Sequence, residues 1–492
     1  MRNLSKVTLL FLIFIILIGC LPKDQEVSAQ VQEKAEQLIE DLIHAEMLTH
    51  ATLSIKAVDV SSGEVLAAHN SSLTMIPASI QKLLTTATAL ETLSSGNTFS
   101  TTLEYSGHLN KNGTLAGNLY ITGGGDPALG SSNFKGHYGD IFERLANAVV
   151  AAGINKVEGK IIGDASIFGE INIPGNWIWE DIGNYYGAPA TGLNIYDNSF
   201  EITFSTQNKA GTPATITGIH PQIPGLEIEN RVVASDDNGD NAYIYGTYLS
   251  GKRIISGTIP ANRKAFTIRG AIPDPAFLAA HQLTEKLKGI GLIVKGNPES
   301  MYIDSQPGKR TVLLEIKSPS LNEIIDATNH KSINLYAETL LLHLTPGENA
   351  PSDEHALQFV KSFWEEKGMP VSGMFLTDGS GLSRANGMTA DQMIFLLNYM
   401  NIQSECSAEF KTSLPVSGVS GNMTNFGTGT FLENNLAAKS GSMSRVLNYA
   451  GYLTTASGRE VAFVVMVNNY EGSSSQVKNL VINFLLDLTS TF

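Results

Sequence analysis

The pair of residues with the clearest potential for chemistry is Ser79 and Lys82, which lie one helical turn apart. Apolar residues between positions 80 and 90 recur with a helical period, which predicts a helix with Ser79 and Lys82 together on another face. A serine hydroxyl needs a base to take its proton, and N–H groups at a helix start can stabilise an oxyanion. On its own this spacing is weak, because an N-cap serine followed by a solvated lysine produces it more often.

Two further motifs supply polar groups that such a reaction needs. Ser332 and Asn334 lie between two predicted helices, where a hydroxyl could relay a proton and an amide could hold a carbonyl. Lys439, Ser440 and Gly441 close an apolar segment that is predicted to be a strand. There the lysine and serine could receive a carboxylate, and the glycine would let the backbone of a bound peptide approach closely. Each motif alone is also typical of a helix cap or a turn after a strand.

The elements around these motifs indicate an α+β fold. Alternating apolar residues predict a hairpin over 53–68, and two strands over 447–454 and 461–468 are followed by a helix over 475–488. A helical period over 30–48 predicts an amphipathic helix before the hairpin. Because the strands come from opposite ends of the chain, we expect one sheet assembled from both ends and flanked by helices.

The long excursion between these strands predicts a nested insertion. A Gly-Asp-Pro string, a helix and a short apolar strand over 125–159 are echoed by a similar series over 273–296. Two such units far apart indicate one domain interrupted by another. The predicted division is a catalytic domain over 31–95 and 312–492, an inserted α/β domain over 96–169 and 268–311, and a nested, mostly β domain over 170–267.

The amino terminus predicts export and a lipid anchor. Basic residues precede an apolar run over 7–18, which is typical of a signal peptide and too short to span a bilayer comfortably. The run ends at Leu-Ile-Gly before Cys20 and resembles a bacterial lipobox, so residues 1–20 are predicted to be a lipoprotein signal, followed by a tether over 21–30. An ordinary secretory signal with a chance cysteine is the alternative. If Cys20 is lipidated, Cys406 is the one cysteine left in the sequence, so no intramolecular disulfide is expected.

Composition and motif searches weigh against several other functions. The formal charge of -14, without a basic block, argues against nucleic acid as the main partner. The ten histidines show no metal-ligand spacing, so we expect no metal. The glycines at 123–125 are not followed by a dinucleotide fingerprint, and the segment 427–430 lacks the lysine of a P-loop, so we expect no cofactor.

Together the three motifs occur in the order S-x-x-K, S-x-N and K-[ST]-G, which marks penicillin-binding proteins and active-site-serine β-lactamases. Over nearly all of the predicted mature chain, the sequence resembles the low-molecular-mass penicillin-binding proteins of the D-alanyl-D-alanine carboxypeptidase/endopeptidase (DacB-like) type. The long gap between Ser79 and Ser332 and several local strings carry the resemblance. Those strings are GGGDP at 123–127, YGAP at 186–189, DGSGLSR at 378–384, LPVSG at 414–418 and KSGS at 439–442. One departure is Ser440, where threonine is commoner and a hydroxyl is retained.

The resemblance implies a fold, a reaction and a set of catalytic residues. The fold would be serine β-lactamase/transpeptidase-like, an antiparallel sheet flanked by helices with a helical subdomain, and the reaction would be hydrolysis of D-alanyl bonds in peptidoglycan. Ser79 would attack the carbonyl, Lys82 would take its proton, and Ser332 would relay a proton to the leaving amine. Asn334 would orient the acyl side chain, and the N–H groups of Ser79 and Ser442 would form the oxyanion hole.

The resemblance also implies the groups that bind substrate. Lys439 and Ser440 would hold the terminal carboxylate. Asp126 would bind a free amine on the side-chain arm of the substrate, and Met443 would contact its methylenes. The alternative is a turn aspartate and a packed methionine with no contact to substrate. Because an ordinary lysine has a pKa of about 10.4, Lys82 must be desolvated or placed near another cation, for which Lys439 is the candidate. β-Lactam antibiotics are expected to be covalent inhibitors.

Two alternatives remain open at this point. A β-lactamase would need a second base to activate water for deacylation, and neither Glu338, on the predicted Asn334 helix, nor Glu433, before the third motif, is a clear counterpart. A non-catalytic cell-wall or antibiotic-binding lipoprotein would have no need of all five catalytic residues. We therefore expect an exported, lipid-anchored peptidase of the cell envelope that acts on peptidoglycan peptides.

Overall fold

The computed structural model describes residues 37–40, 42–169, 173–305, 308–345 and 353–492. The predicted signal peptide, Cys20 and the tether lie outside these residues, as does the first part of the helix predicted over 30–48. Residues 37–40 and 42–43 are helical. Among all the residues described, no helix combines the length and the apolar character that crossing a membrane requires.

Five sheets are formed by the described residues. Their strands are β1 Thr52–Asp59, β2 Val65–His69, β3 Ser100–Tyr105, β4 His108–Leu109, β5 Thr114–Ala116, β6 Leu119–Gly123, β7 Lys156–Val157, β8 Ile161–Asp164, β9 Ser199–Ser205, β10 Thr215–His220, β11 Glu227–Ser235, β12 Asn241–Tyr245, β13 Lys252–Pro260, β14 Phe266–Ala271, β15 Ile293–Val294, β16 Glu299–Met301, β17 Thr311–Lys317, β18 Leu436–Met443, β19 Val446–Thr454 and β20 Glu460–Asn468.

Further helices alternate with these strands along the chain. They are α1 Lys82–Leu93, α2 Lys135–Tyr138, α3 Ile141–Ala151, α4 Trp179–Ile182, α5 Pro275–Gly289, α6 Leu321–Lys331, α7 Asn334–Leu342, α8 Asp353–Glu366, α9 Ala390–Ile402, α10 Ser407–Thr412 and α11 Ser474–Thr491.

The sheet that positions the motifs is antiparallel, in the order β18-β19-β20-β1-β2. β1 pairs with β20 over its whole length, so the expected sheet built from both ends of the chain is confirmed. Alternate residues of β20 enter different apolar clusters: Phe463 and Val465 face one, whereas Val464 and Met466 face the other. The sheet is therefore covered on both faces, by α9 on β20 and β1 and by α11 on β19.

A helical layer supports the nucleophile motif. α1 packs against α6 and α7, so the helix that follows Ser79 contacts the two helices on either side of Ser332. A capping box at Ser320 begins α6, as the sequence predicted, because Ser320 and Glu323 satisfy each other's backbone N–H groups. The α+β fold class, an antiparallel sheet with a helical layer and a long insertion, is confirmed.

The insertion contains the other four sheets. The two similar helix-strand units meet directly, because α3 packs on α5 and the strands that follow them, β7 and β15, pair in parallel. Two three-stranded sheets, β10-β9-β14 and β11-β13-β12, make up the nested β part. β17 pairs with β3 in an inserted sheet, although the sequence division gave residues from 312 onward to the catalytic domain. This pairing joins β17 to a sheet of the insertion, and the domain boundaries stay predictions.

An ion cluster around Arg310 ties the inserted unit together. Its guanidinium donates to Asp164 Oδ2 at 2.5 Å and to Asp304 Oδ2 at 2.8 Å. The same group stacks 3.9 Å from the ring centroid of Tyr120. Asp164, at the end of β8, is only 2% exposed, so this carboxylate has little water to replace a lost partner.

Replacing Arg310 with methionine should destabilise the fold, because it leaves the buried charge of Asp164 uncompensated. We expect the free energy of unfolding to fall by about 3–5 kcal/mol. The control is Lys160→Met, since Lys160 pairs with Glu299 on the surface and such pairs contribute less than about 1 kcal/mol. Urea unfolding followed by circular dichroism checks both variants, and equal losses would contradict the role given to Arg310.

Candidate active site

The candidate nucleophile, Ser79, lies in a 3-10 turn, Ala78–Gln81, that leads directly into α1. The residue before it, Ala78, has a φ of 47°, which is a strained conformation for a non-glycine residue. Asn448 of β19 fixes the chain just upstream, because its Nδ2 donates to the carbonyls of residues 76 and 77 at 2.9 and 2.8 Å. Sequence analysis missed Asn448, although a polar residue inside an apolar strand was a detectable signal.

Lys82 forms the centre of the site. Its Nζ donates to Ser79 Oγ at 2.9 Å, to Asn334 Oδ1 at 2.6 Å and to the carbonyl of Ser380 at 2.8 Å. The amine therefore has three acceptors, one of which is the hydroxyl that it would deprotonate. This distance lies within the range that proton transfer requires.

The environment of Lys82 makes its amine a competent base at neutral pH. The side chain is fully buried, and burial lowers its pKa to about 7, against the opposing effect of Glu338 and Asp378. Desolvation or the charge of Lys439 was the expected cause. In the structure the cause is burial.

The second motif connects α6 to α7. Ser332 adopts the left-handed conformation that ends α6, with a φ of 57°, and Asn334 begins α7. Lys439 Nζ donates to Ser332 Oγ at 2.9 Å and to the carbonyl of Ser440 at 2.8 Å. Burial, together with the charge of Lys82, holds the pKa of Lys439 well below its usual range. The structure thus brings all five predicted catalytic residues into two hydrogen-bonded groups.

Gly441 has a packing role in addition to the expected contact with substrate, which stays a prediction. A Cβ at this position would lie 2.8 Å from the carbonyl oxygen of Pro77 and 3.0 Å from the backbone nitrogen of Ser79. Gly441 therefore lets strand β18 pack against the nucleophile turn, rather than only admitting a substrate backbone. This close packing places the strand that carries Ser442 directly beside the N–H of Ser79.

A loop over 378–386 completes the surroundings of Lys82, and sequence analysis gave it no catalytic role. Glu338 holds this loop, because its two carboxylate oxygens accept the N–H groups of Gly379 at 2.9 Å and Ser380 at 2.8 Å. Burial and the charge of Asp378 raise the pKa of Glu338. With its N–H thus bound, Ser380 directs its carbonyl to Lys82.

Asp378 is the organising residue of the same loop. One carboxylate oxygen accepts the N–H of Gly381 at 2.7 Å, and the other accepts the indole N–H of Trp177 at 2.9 Å. Asn386 also donates to Asp378, at 2.8 Å. Since Trp177 comes from the segment before α4, the insertion takes part in holding the loop that contacts the candidate base.

The motifs open onto a cleft of about 750 Å³ between the catalytic sheet and the insertion. Ser440, Ser442 and Met443 of β18 line it, together with Ser79, Ser332 and Asn334. Its charged lining comes from several elements: Glu180, Asp181, Asp197, Arg269, Lys331 and Arg384. Tyr186 reaches the site through its carbonyl, which accepts Asn334 Nδ2 at 2.8 Å.

Asp126 is not brought to this cleft. Its side chain is 2% exposed, accepts the hydroxyl of Tyr138 at 2.8 Å, and caps the N–H of Ala128 at 2.9 Å. Burial raises its pKa to about 6. This geometry describes a structural turn aspartate, so the expected contact with a substrate amine is not supported. Asp181 is one of three acidic side chains that line the cleft, with Glu180 and Asp197, and its pKa is raised to about 6 by burial and by Glu180.

The two glutamates considered as deacylation bases are engaged elsewhere. Glu338 accepts two backbone N–H groups of the loop, as described above, and Glu433 accepts the N–H of Gly429 at 2.6 Å. Neither side chain lines the cleft. Within the described part of the chain, no group of three His, Cys, Asp or Glu side chains is arranged to hold a metal ion.

Replacing Gly441 with alanine should slow acylation of Ser79 by a fluorescent β-lactam about 10²-fold or more, because the added methyl group displaces the nucleophile turn. The matched control is Gly96→Ala, since nothing lies within 4 Å of a Cβ there. Stopped-flow labelling gives the rate constants. Unchanged labelling of the Gly441 variant would show that the close approach has no functional role.

The chain matches a known protein family and several known relatives. The profile of the D-Ala-D-Ala carboxypeptidase 3 (S13) family matches residues 35–486. The chain is 28% identical over 470 residues to the D-alanyl-D-alanine carboxypeptidase of Actinomadura sp. (strain R39), which covers 93% of this chain and 85% of that protein. It is 27% identical over 429 residues to D-alanyl-D-alanine carboxypeptidase DacB of Haemophilus influenzae, covering 86% of each.

A solved structure shares the fold. Penicillin binding protein 4 (dacB) from Haemophilus influenzae matches with a TM-score of 0.76 and 24% identity, over 94% of this chain and 99% of that chain. That protein has also been solved complexed with a novel β-lactam, with a TM-score of 0.72. The family profile spans nearly the whole described chain. The protein therefore belongs to the D-Ala-D-Ala carboxypeptidase 3 (S13) family of serine peptidases.

Proposed function

We propose that this protein hydrolyses D-alanyl peptide bonds of peptidoglycan stem peptides through an acyl-enzyme on Ser79. One observation carries the proposal: the buried amine of Lys82, with a pKa of about 7, donates to Ser79 Oγ at 2.9 Å. A nucleophile paired with a base of matched pKa is what acyl transfer requires. Membership of the D-Ala-D-Ala carboxypeptidase family supports the substrate class.

Acylation begins when Ser79 Oγ attacks the carbonyl carbon and Lys82 Nζ takes its proton. The oxyanion is stabilised by the N–H groups of Ser79 and Ser442, which the packing of Gly441 keeps together. The carbon–nitrogen bond then breaks, and the leaving nitrogen receives a proton through the hydroxyl of Ser332. Lys439 holds that hydroxyl at 2.9 Å and can supply or replace its proton.

Deacylation uses the same groups in reverse. Lys82 first passes on the proton that it took from Ser79, which replaces the proton that Lys439 and Ser332 gave to the leaving nitrogen. The neutral amine of Lys82 then takes the proton of the attacking water, and the bond to Ser79 Oγ breaks as Lys82 returns that proton to the serine. In a peptide reaction the leaving amine has departed, so water can approach. In a penicillin adduct the amine remains tethered to the acyl group and obstructs water. Neither Glu338 nor Glu433, the two glutamates considered for the role that a glutamate has in class A β-lactamases, faces the cleft to overcome this.

The substrate would lie along β18. Its terminal carboxylate would meet Lys439 and Ser440, and its acyl arm would pass Met443 toward Asp181 and Arg384 at the other end of the cleft. Asp181 replaces Asp126 as the group proposed to bind a free amine on that arm. Asn334 would hold the arm by its amide while keeping Lys82 in place.

The family's substrate locates the protein in the cell envelope. A lipid at Cys20, followed by the tether over 21–30, is proposed as its anchor, with the cleft on the extracytoplasmic side. A two-chain lipid would give firm attachment, whereas one chain would be marginal.

The central test compares the wild-type protein with Ser79→Ala. The wild type should release D-alanine from a pentapeptide and form a penicillin adduct that survives for minutes or longer in intact-protein mass spectra. The variant should do neither and keep its circular dichroism spectrum. Labelling of the variant at the wild-type level would show that Ser79 is not the nucleophile. An adduct that disappears within a second, with many turnovers of free drug, would indicate a β-lactamase instead.

The pKa of Lys82 sets the pH dependence. Below about pH 7 its amine is protonated and cannot accept the serine proton, so the acylation rate constant should fall about tenfold per pH unit. Above that pH the rate should level off. A stopped-flow profile of penicillin acylation measures the acid limb, with circular dichroism to exclude unfolding. An acid limb that levels off only near pH 10, as expected for a lysine of ordinary pKa, would contradict this assignment.

Substitutions of two aspartates distinguish a residue that binds the substrate amine from a residue with a structural role. Asp181→Asn should lower kcat/KM about tenfold for a substrate with a free amine on its acyl arm, and much less for the same substrate acetylated there. Asp126→Asn, whose carboxylate is bound by Tyr138, should affect both substrates equally. The opposite pattern would restore Asp126 as the amine-binding residue.

A further inference from the structure

A second cavity of about 360 Å³ lies next to the catalytic cleft. Asn133 and Lys331 line both spaces, and the boundary that these two residues form is called the neck. Lys331 Nζ donates to Asn133 Oδ1 at 2.6 Å, which joins the end of α6 to the 3-10 turn Ser132–Phe134 of the insertion. The neck is thus bounded by one catalytic and one inserted element.

The neck lies at the leaving-group end of the cleft. Lys331 directly precedes Ser332, whose hydroxyl is bound by Lys439. The residues proposed for the acyl arm lie toward the opposite end of β18, where Arg384 donates to the carbonyl of Ser444 at 3.4 Å. A substrate that places its carboxylate at Lys439 therefore directs its leaving group toward the neck.

Polar and apolar side chains both line the second cavity, and the carboxylates of Glu323 and Asp326 are among the polar groups. Asn322, His330 and Thr412 offer donors and acceptors, and Phe134 supplies an apolar wall. His330 lies 3.1 Å from Asp326, and this carboxylate raises the pKa of the histidine. A volume of this size is at the lower end of the range for ligand sites, enough for a short peptide segment.

We propose that this second cavity binds the leaving strand of a cross-linked stem peptide and so favours cleavage of cross-links. The inference rests on the proposed function and adds a binding site to it. A released D-alanine ends inside the cleft, whereas the leaving amine of a cross-link belongs to a second peptide that has to continue beyond it. The cationic side chain of Lys331 in the neck suits the carboxylates of such a peptide.

The chemistry is the acyl transfer already described. The bond from the D-alanyl carbonyl to the cross-linking nitrogen breaks as the bond to Ser79 Oγ forms, and that nitrogen receives its proton through Ser332. Water then releases the acyl strand. What the cavity adds is binding energy for the departing strand, which raises kcat/KM for cross-linked substrates alone.

The test measures kcat/KM for a defined cross-linked muropeptide dimer and for the monomeric pentapeptide. Thr412→Trp fills the cavity from the exposed end of α10 and should lower kcat/KM for the dimer about tenfold while D-alanine release stays within about twofold. The control is Ala408→Trp, an exposed position on the same helix that does not line the cavity. It should leave both values unchanged.

Lys331→Ala provides a second variant, for which the ratio of the two kcat/KM values should fall by a similar factor. Equal effects on both substrates in each variant, or no effect in either, would overturn the cavity as a leaving-strand site. So would a wild-type protein that cleaves the pentapeptide and not the dimer. A wild-type protein that cleaves neither would instead refute the proposed function, on which the inference depends.

Discussion

The burial of the Lys82 amine is the constraint on which the rest of the structure depends. A lysine removed from water must have hydrogen-bond acceptors for its Nζ, and the three that it has come from three different parts of the fold. Ser79 belongs to the nucleophile turn, Asn334 begins α7, and Ser380 lies in the loop over 378–386. The pKa of about 7 exists only while these elements meet around the amine, so fold and reactivity are coupled.

This constraint gives the large insertion a structural role at the reaction centre. Asn334 contacts Lys82 through its oxygen while its nitrogen donates to the carbonyl of Tyr186. Trp177 binds Asp378, which organises the loop that presents Ser380. Both contacts come from the insertion, so its residues help to fix the orientation of the base in addition to lining the cleft.

The sequence predicted those parts of the site that are visible as a pattern of residue types within a short segment of the chain. Spacing along one helix linked Ser79 to Lys82, and alternating residues predicted the strands of the central sheet, both of which the structure contains. Asn448 was detectable as a polar residue inside an apolar strand, but its role could not be assigned, because the carbonyls that it binds at residues 76 and 77 lie far along the chain. The same holds for Asp378, whose partner Trp177 is about 200 residues away. Asp126 was misplaced for the same reason: a local string resembles a family motif, whereas burial against Tyr138 depends on the tertiary fold.

Under the proposed mechanism, the two buried lysines would also let one site both accept and donate a proton. Burial lowers the pKa of Lys82 and of Lys439, and the charge of Lys82 lowers that of Lys439 further, so the two amines resist being charged at the same time. When Lys82 takes the proton of Ser79, the proton affinity of Lys439 falls. The hydroxyl of Ser332, which Lys439 binds at 2.9 Å, then becomes a better donor to the leaving nitrogen. Formation of the acyl-enzyme would thereby promote protonation of the group that must depart.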